Sequence, residues 1–315
     1  MIPTELVNTS RREVVVRIAA TLGSALLVGG CTAFNYQKMD APTPLVKVPA
    51  MDPPPRIALV LGSGGPRGYA HIGVLRVLEE AGIIPDLVVG SSVGSLIGVF
   101  WACGFSALEI DELSKQGGPL TIFDPSIFAD RGWIKGDKLQ HYVEQSINRL
   151  SLEKLPRRLI VAVTRRDDKQ PRFLMNGNAG VAVRASSAMP GIISPVGIQG
   201  VEYEDGDVSL PVPVTPAIDA GAQFIIAVDV SARAGTTPAN APDSFKRRDM
   251  ARLERIKPEV ARADFIIQPN LGYWAGPMSS YFKESRALGE TYARTVLPDL
   301  KVALQKRFGK LSEIQ

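Results

Sequence analysis

The chain has 315 residues, enough for one large α/β domain, and its 45% apolar and 22% charged content supports a packed core and excludes wholesale disorder. Its 36 basic and 32 acidic residues leave a formal charge of +4, too even for a nucleic-acid-binding protein and enough only for a mild attraction to anionic membranes. Two cysteines cannot build a disulfide framework and two histidines offer little to zinc, so neither a metal nor another cofactor is expected.

Residues 1–30 read as an address. Arg11, Arg12 and Arg17 precede "IAATLGSALLVGGC", an apolar run ending in small residues, as in a secretory signal. The run is shorter than the ~20 apolar residues that span a bilayer, and Gly23 interrupts it. Cys31, directly after "LVGG", resembles the cysteine of a bacterial lipobox, which becomes the lipid-modified first residue after cleavage. An ordinary cleaved signal and a short anchor are the alternatives. The expectation is a periplasm-facing protein anchored to a membrane through Cys31, the outer membrane being favoured because no Asp stands at position 32. Residues 31–55 then hold the lipidated cysteine and the proline-rich "DAPTPLVKVPAMDPPP", expected as an extended tether with folded structure beginning near Arg56.

From Arg56 the pattern alternates. Residues 57–61 form a continuous apolar run, as in a parallel strand covered on both faces. A glycine turn and an amphipathic helix follow, and Gly82 ends the helix. "DLVVG" (86–90) is a second strand and "VGSLIGVFWACG" a second helix, which together argue for a parallel α/β sheet. Gly62, Gly64 and Gly68 could cradle a pyrophosphate at a helix start. That spacing is one residue longer than G-x-G-x-x-G, and no acidic residue ends the next strand. Alternatively, the backbone N–H groups of Gly64 and Gly65 face a developing oxyanion. The turn alone leaves both open.

Gly90-Ser91-Ser92-Val93-Gly94 fits G-x-S-x-G at a strand-to-helix elbow. Glycines two positions either side single out Ser92 as the candidate nucleophile and leave Ser91 as a packing residue. A Ser, acid, His order is missing, because nothing after His141 can serve as a late histidine. His71 reads as a packing residue on the first helix and His141 as a surface position. A carboxylate is the remaining base. Cys103 reads as a buried, inert thiol.

The stretches "LGSGGPRGYAHIGVL", "GSSVGS", "RASSAMPGIISPV" and "YEDGDVSLPVPV" occur in the order and spacing of the patatin-like phospholipases. The chain resembles that family over residues 56–230, and more loosely through "ADFIIQPNL" and the last helix. The resemblance implies a three-layer α/β sandwich over 56–308, with a mostly parallel central sheet and helices on both faces. It implies a Ser–Asp dyad of Ser92 and Asp205, an oxyanion hole at Gly64, Gly65 and Arg67, and no need for calcium. The activity implied is that of a phospholipase A or lysophospholipase acting on phospholipid or another acyl-ester lipid through an acyl-enzyme. An acyltransferase would use the same intermediate. An exposed carboxylate has a pKa near 4 and is a poor base for a serine hydroxyl, whereas a desolvated one is stronger.

Two positions depart from the family pattern. Ser63 replaces the first of three consecutive glycines, and Asp207 stands where Gly or Ala usually follows Asp-Gly. A carboxylate so close to Asp205 would raise one pKa of the pair, point to solvent, or disable the dyad. The last outcome describes a non-catalytic lipid-binding lipoprotein. "RASSAMPG", with Ser187 and Pro190, resembles a loop beside the active site and carries no assigned chemistry. The aromatic stretches 120–134 and 271–282 either meet lipid or pack on their own domain. "SFKRRDMARLERIK" (244–257) reads as a solvated helix face or a contact for an anionic headgroup.

Overall fold

The computed structural model describes residues 34–116, 122–233, 235–273, 275–276 and 278–309; residues 1–30, expected as a signal, and Cys31 lie outside them. Nine strands in the described residues form one sheet: β1 (Asn35–Tyr36), β2 (Ile57–Leu61), β3 (Leu87–Ser91), β4 (Arg158–Arg165), β5 (Pro171–Leu174), β6 (Val196–Ile198), β7 (Val201–Glu204), β8 (Phe224–Val228) and β9 (Phe265–Ile267). They run in the order β1-β6-β7-β4-β3-β2-β8-β9, with β5 on β4. The run β4-β3-β2-β8-β9 is parallel throughout, while β5 and β7 lie antiparallel to β4. The helices are α1 (Tyr69–Glu80), α2 (Val93–Cys103), α3 (Ala107–Gln116), α4 (Asp137–Ser146), α5 (Ala179–Ser186), α6 (Thr215–Asp219), α7 (Asp243–Val260) and α8 (Ser279–Phe308).

Every residue of β2, β3 and β8 is buried, which explains their unbroken apolar sequences. Alternation along the strands separates two faces. Ala58, Val60, Leu87, Val89, Ile225 and Ala227 share one core with Ala217 of α6 and Ile256 of α7. On the opposite face α2 lies over Leu61, Val88 and Leu159, approaching them at Gly98. Helices therefore cover both faces, as expected. α1 packs on α8 through a Tyr69–Phe282 ring stack at 4.1 Å and a Glu80–Arg294 ion pair at 2.6 Å. The second strand runs one residue later than the sequence pattern suggests, and a 3-10 turn at Gly65–Gly68 precedes α1.

Among the described residues, packed structure is already present at Asn35, well before Arg56. β1 pairs in parallel with β6, and Leu45 exchanges two 2.9 Å backbone hydrogen bonds with Phe173. Tyr36, Ala41 and Val48 are buried. The proline-rich stretch contains no helix or regular strand, as proline requires, but Leu45 pairs with β5 and Ala41 and Val48 are buried, while Val46 stays exposed. Cys103 is half-buried rather than buried, because it is the last residue of α2.

Candidate active site

The elbow connects β3 to α2 with one residue between them, Ser92. That residue adopts φ 54 and ψ −124, a combination that costs a side-chain-bearing residue about 1–3 kcal/mol. Its neighbours leave no room for bulk. A Cβ on Gly90 would meet the Ser95 backbone at 2.5 Å, and one on Gly94 would meet the Leu61 carbonyl at 2.0 Å. The elbow is held from beneath. Ser92 N–H donates to Ser186 Oγ at 2.9 Å, and Ser186 Oγ donates to the Ala162 carbonyl of β4 at 2.7 Å. Ser95 Oγ donates to the Ser92 carbonyl at 2.6 Å. Ser91 is fully buried and its hydroxyl makes no hydrogen bond, as befits a packing residue.

Asp205 follows β7 directly, and the sheet delivers it to Ser92 from 113 positions away. Ser92 Oγ donates to Asp205 Oδ2 at 2.9 Å. The Asp205 backbone is fixed at both ends: its N–H donates to the Ala188 carbonyl at 3.0 Å, and its carbonyl accepts from Thr164 Oγ1 at 2.8 Å. The carboxyl is 2% exposed. Burial first, and then the Asp207 charge, raise its pKa to about 8, against the pull of hydrogen bonds from the Asp207 amide and Ser92 and of the Arg252 charge.

Asp207 is half-buried, its side chain 37% exposed, and it turns away from the elbow serine. Its Oδ1 accepts from Ser63 Oγ and from Arg252 Nε, the latter at 2.8 Å, so the Ser92–Asp205 bond is left intact. Two residues of this site escape sequence reasoning. Ser186 stands beside Ser187 in "RASSA", and only the folded elbow distinguishes them. Arg252 is one of four arginines in the basic stretch 244–257, a largely solvated helix that buries Ile256 in the core and turns the Arg252 side chain inward. The extra carboxylate at 207 was the available signal, since an acid held beside a second carboxylate draws a cation.

In the glycine turn, Gly62 and Ser63 donate their amides to the carbonyls of Val228 and Pro211. The Arg67 amide donates to the Gly64 carbonyl at 3.2 Å, and the Arg67 guanidinium donates to the carbonyls of Gly272 and Tyr273. Arg67, expected among the oxyanion donors, is thus engaged as a brace between this turn and the 271–282 stretch. The amides of Gly64 and Gly65 take part in none of these bonds. The turn abuts the elbow, since a Cβ on Gly68 would strike the Val93 side chain at 2.3 Å. His71 is buried, with Nε2 2.8 Å from the Gly62 carbonyl, and burial lowers its pKa to about 4. A neutral imidazole donating there is a structural support. His141 is exposed on α4.

A family model described as Patatin-like phospholipase matches residues 59–218, a span that begins in β2, contains the elbow and Asp205, and ends in α6; the chain belongs to the patatin-like phospholipase family. An uncharacterized NTE family protein of Mycobacterium bovis is 34% identical over 183 residues, covering 56% of this chain and 49% of that protein. The lysophospholipase NTE1 of Scheffersomyces stipitis is 30% identical over 195 residues, covering 60% of this chain and 12% of that protein. The chain thus spans about half the length of the mycobacterial relatives and a much smaller part of the fungal ones. Among solved structures, VipD from Legionella pneumophila shares the fold with a TM-score of 0.52 at 13% identity, over 84% of this chain and 71% of that one.

Proposed function

We propose that this chain is a serine-dependent lipid acyl hydrolase, of phospholipase A or lysophospholipase type, working through a Ser92–Asp205 dyad and an acyl-enzyme. The observation that carries the reading is the 2.9 Å hydrogen bond from Ser92 Oγ to a buried carboxylate at a strained elbow. Asp205, when ionised, takes the Ser92 proton as Oγ attacks the ester carbonyl carbon. The carbonyl oxygen gains the charge and is met by the amides of Gly64 and Gly65 at the positive end of the following helix. As the ester C–O bond breaks, the proton passes from Asp205 to the leaving alkoxide. Water, deprotonated by Asp205, then attacks the acyl-enzyme; as the acyl C–O bond breaks, Asp205 returns the proton to Ser92 Oγ and the fatty acid is released. A base with a pKa near the working pH is close to the optimum for such transfers. Removing one oxyanion donor costs about 3 kcal/mol in comparable sites, so the glycine turn matters as much as the dyad.

The lipid substrate class is supported by family membership and by the lysophospholipase name of the fungal relatives. The cell-envelope location and the lipid on Cys31 are part of the same proposal and rest on the n-region, apolar run and lipobox-like junction of residues 1–31. The test is covalent labelling with a fluorophosphonate probe, followed by product analysis on phospholipid vesicles in the absence of calcium. Wild type should be labelled on Ser92 and release free fatty acid, while Ser92→Ala and Asp205→Asn should do neither. Equal labelling of wild type and Ser92→Ala would refute the assignment. Acyl groups appearing on an added alcohol instead of in free acid would identify a transferase.

A further inference from the structure

Ser63 and Asp207, the two departures from the family pattern, are 144 positions apart and touch: Ser63 Oγ donates a short hydrogen bond to Asp207 Oδ1. Arg252 of α7 completes the group. Besides Nε on Asp207, its Nη2 donates to the Ser63 carbonyl at 3.0 Å and to Ser63 Oγ at 2.9 Å, and its Nη1 donates to Ser231 Oγ. Ser231 in turn bonds Asp229 at the end of β8. One largely buried side chain, 16% exposed, therefore joins the oxyanion turn, the acid loop and the central sheet. Building on the Ser92–Asp205 reading, we infer that Arg252 is a positioning residue: it holds Asp207 charged beside Asp205, clamps the glycine turn to the acid loop, and so leaves Asp205 as the carboxylate that exchanges a proton with Ser92.

The chemistry requires such a cation. Two carboxylates two residues apart, with the Asp207 amide donating to Asp205 Oδ1 at 2.8 Å, repel one another, and Asp205 is buried while Asp207 is only partly exposed. Asp207 faces Arg252 and Arg255 from α7 and Ser63 from the turn. Asp205 faces Ser92, Asp207 and Arg252. Asp229 reaches Arg252 only through Ser231, and it also faces the neutral His71. Arg67 is the next cation beyond Arg252, with Arg248 and Asp249 in its own surroundings. Burial pushes the Asp207 carboxyl up, but the Arg252 charge, the hydrogen bonds from Ser63 and Arg252, and the Arg255 charge bring it below the ordinary value. The planar guanidinium suits this task, because its fork reaches three partners at once where an ammonium would reach fewer.

The experiment is the pH dependence of kcat/KM on p-nitrophenyl butyrate, a soluble ester, measured for full-length wild type, Arg252→Gln, Arg252→Lys and Asp207→Asn. Wild type should gain activity through an acid limb near pH 8, where Asp205 loses its proton. Arg252→Gln removes a cation from the pair and should move that limb up by roughly one pH unit; Asp207→Asn removes the neighbouring anion and should move it down by a similar amount. Arg252→Lys keeps the charge and should return the limb towards wild type while leaving kcat roughly tenfold lower, since the clamp on the turn is incomplete. A structural brace would lower activity at every pH without moving the limb, and that result overturns the inference. Should Arg252→Gln not fold, the Asp207→Asn and Arg252→Lys profiles decide: a limb unmoved in Asp207→Asn, or displaced in Arg252→Lys as far as one unit, also overturns it. Asp205→Asn separates the two layers. If it retains turnover the dyad reading fails, whereas a dead Asp205→Asn with unmoved limbs elsewhere sinks only the role of Arg252.

Discussion

Ser92 holds a backbone conformation that a glycine would adopt at less cost, and the surrounding bonds to Ser186, Ser95 and Asp205 are what keep it there. The strain points the hydroxyl at the acid and away from the strand. It follows that Ser92→Gly should be more stable than Ser92→Ala by about 1 kcal/mol, because both lose the hydroxyl but only glycine relieves the backbone. Thermal or urea denaturation of the two inactive variants measures this difference, and equal stabilities would mean that the elbow stores no strain. Ser92 and the elbow glycines were legible in the sequence because backbone geometry dictates residue type at those positions, whereas Asp205 was reached only through the resemblance to the family. Arg252 and Ser186 were not. Their neighbours in the chain carry the same groups, and only long-range pairing with Asp207 and with the Ser92 amide selects one arginine of four and one serine of two.

At the scale of elements, the loop after α3 and the loop after α5 meet beside the acid. Trp133 and Ile134 donate their amides to the Ile192 carbonyl at 2.8 and 2.9 Å, and Ala188 at the root of the second loop accepts the Asp205 N–H. Between them these loops expose Ile127, Phe128, Trp133, Met189 and Ile192, with Ile127 at 93% and Phe128 at 81%. Within the stretch 120–134, Ile127, Phe128 and Trp133 therefore stand exposed, whereas in 271–282 Leu271 is buried and Phe282 stacks on Tyr69. Aromatic and branched side chains of this kind partition into the headgroup region of a bilayer. Replacing Phe128 and Trp133 together by Ser should lower turnover of phospholipid vesicles by about tenfold while leaving p-nitrophenyl butyrate hydrolysis within about twofold of wild type. Comparable losses on both substrates would assign the two side chains to the catalytic fold itself. The parallel strands and first two helices were readable from apolar runs and glycine joints. That Phe128 and Trp133 are exposed while Phe282 is stacked on Tyr69 was not, because composition is similar and only the tertiary partners differ.

At the scale of the molecule, residues 35–55 are where composition misled. High proline content correctly predicts a stretch without helix but says nothing about whether a sheet edge is available, and here β6 and β5 supply one. Attachment through Cys31 predicts that Cys31→Ala moves the protein from the membrane fraction to the soluble fraction of cells while its activity on p-nitrophenyl butyrate stays within about twofold, a comparison that fractionation and assay provide directly. Retention of the variant in membranes would show that another part of the chain holds it there. With Asn35 already bound to the domain, only four peptide steps remain from Cys31, about 14 Å at full stretch. Were Cys31 acylated as proposed, so short a leash would keep the enzyme at the leaflet in which its own lipid is embedded, and substrate would reach it by lateral diffusion in two dimensions.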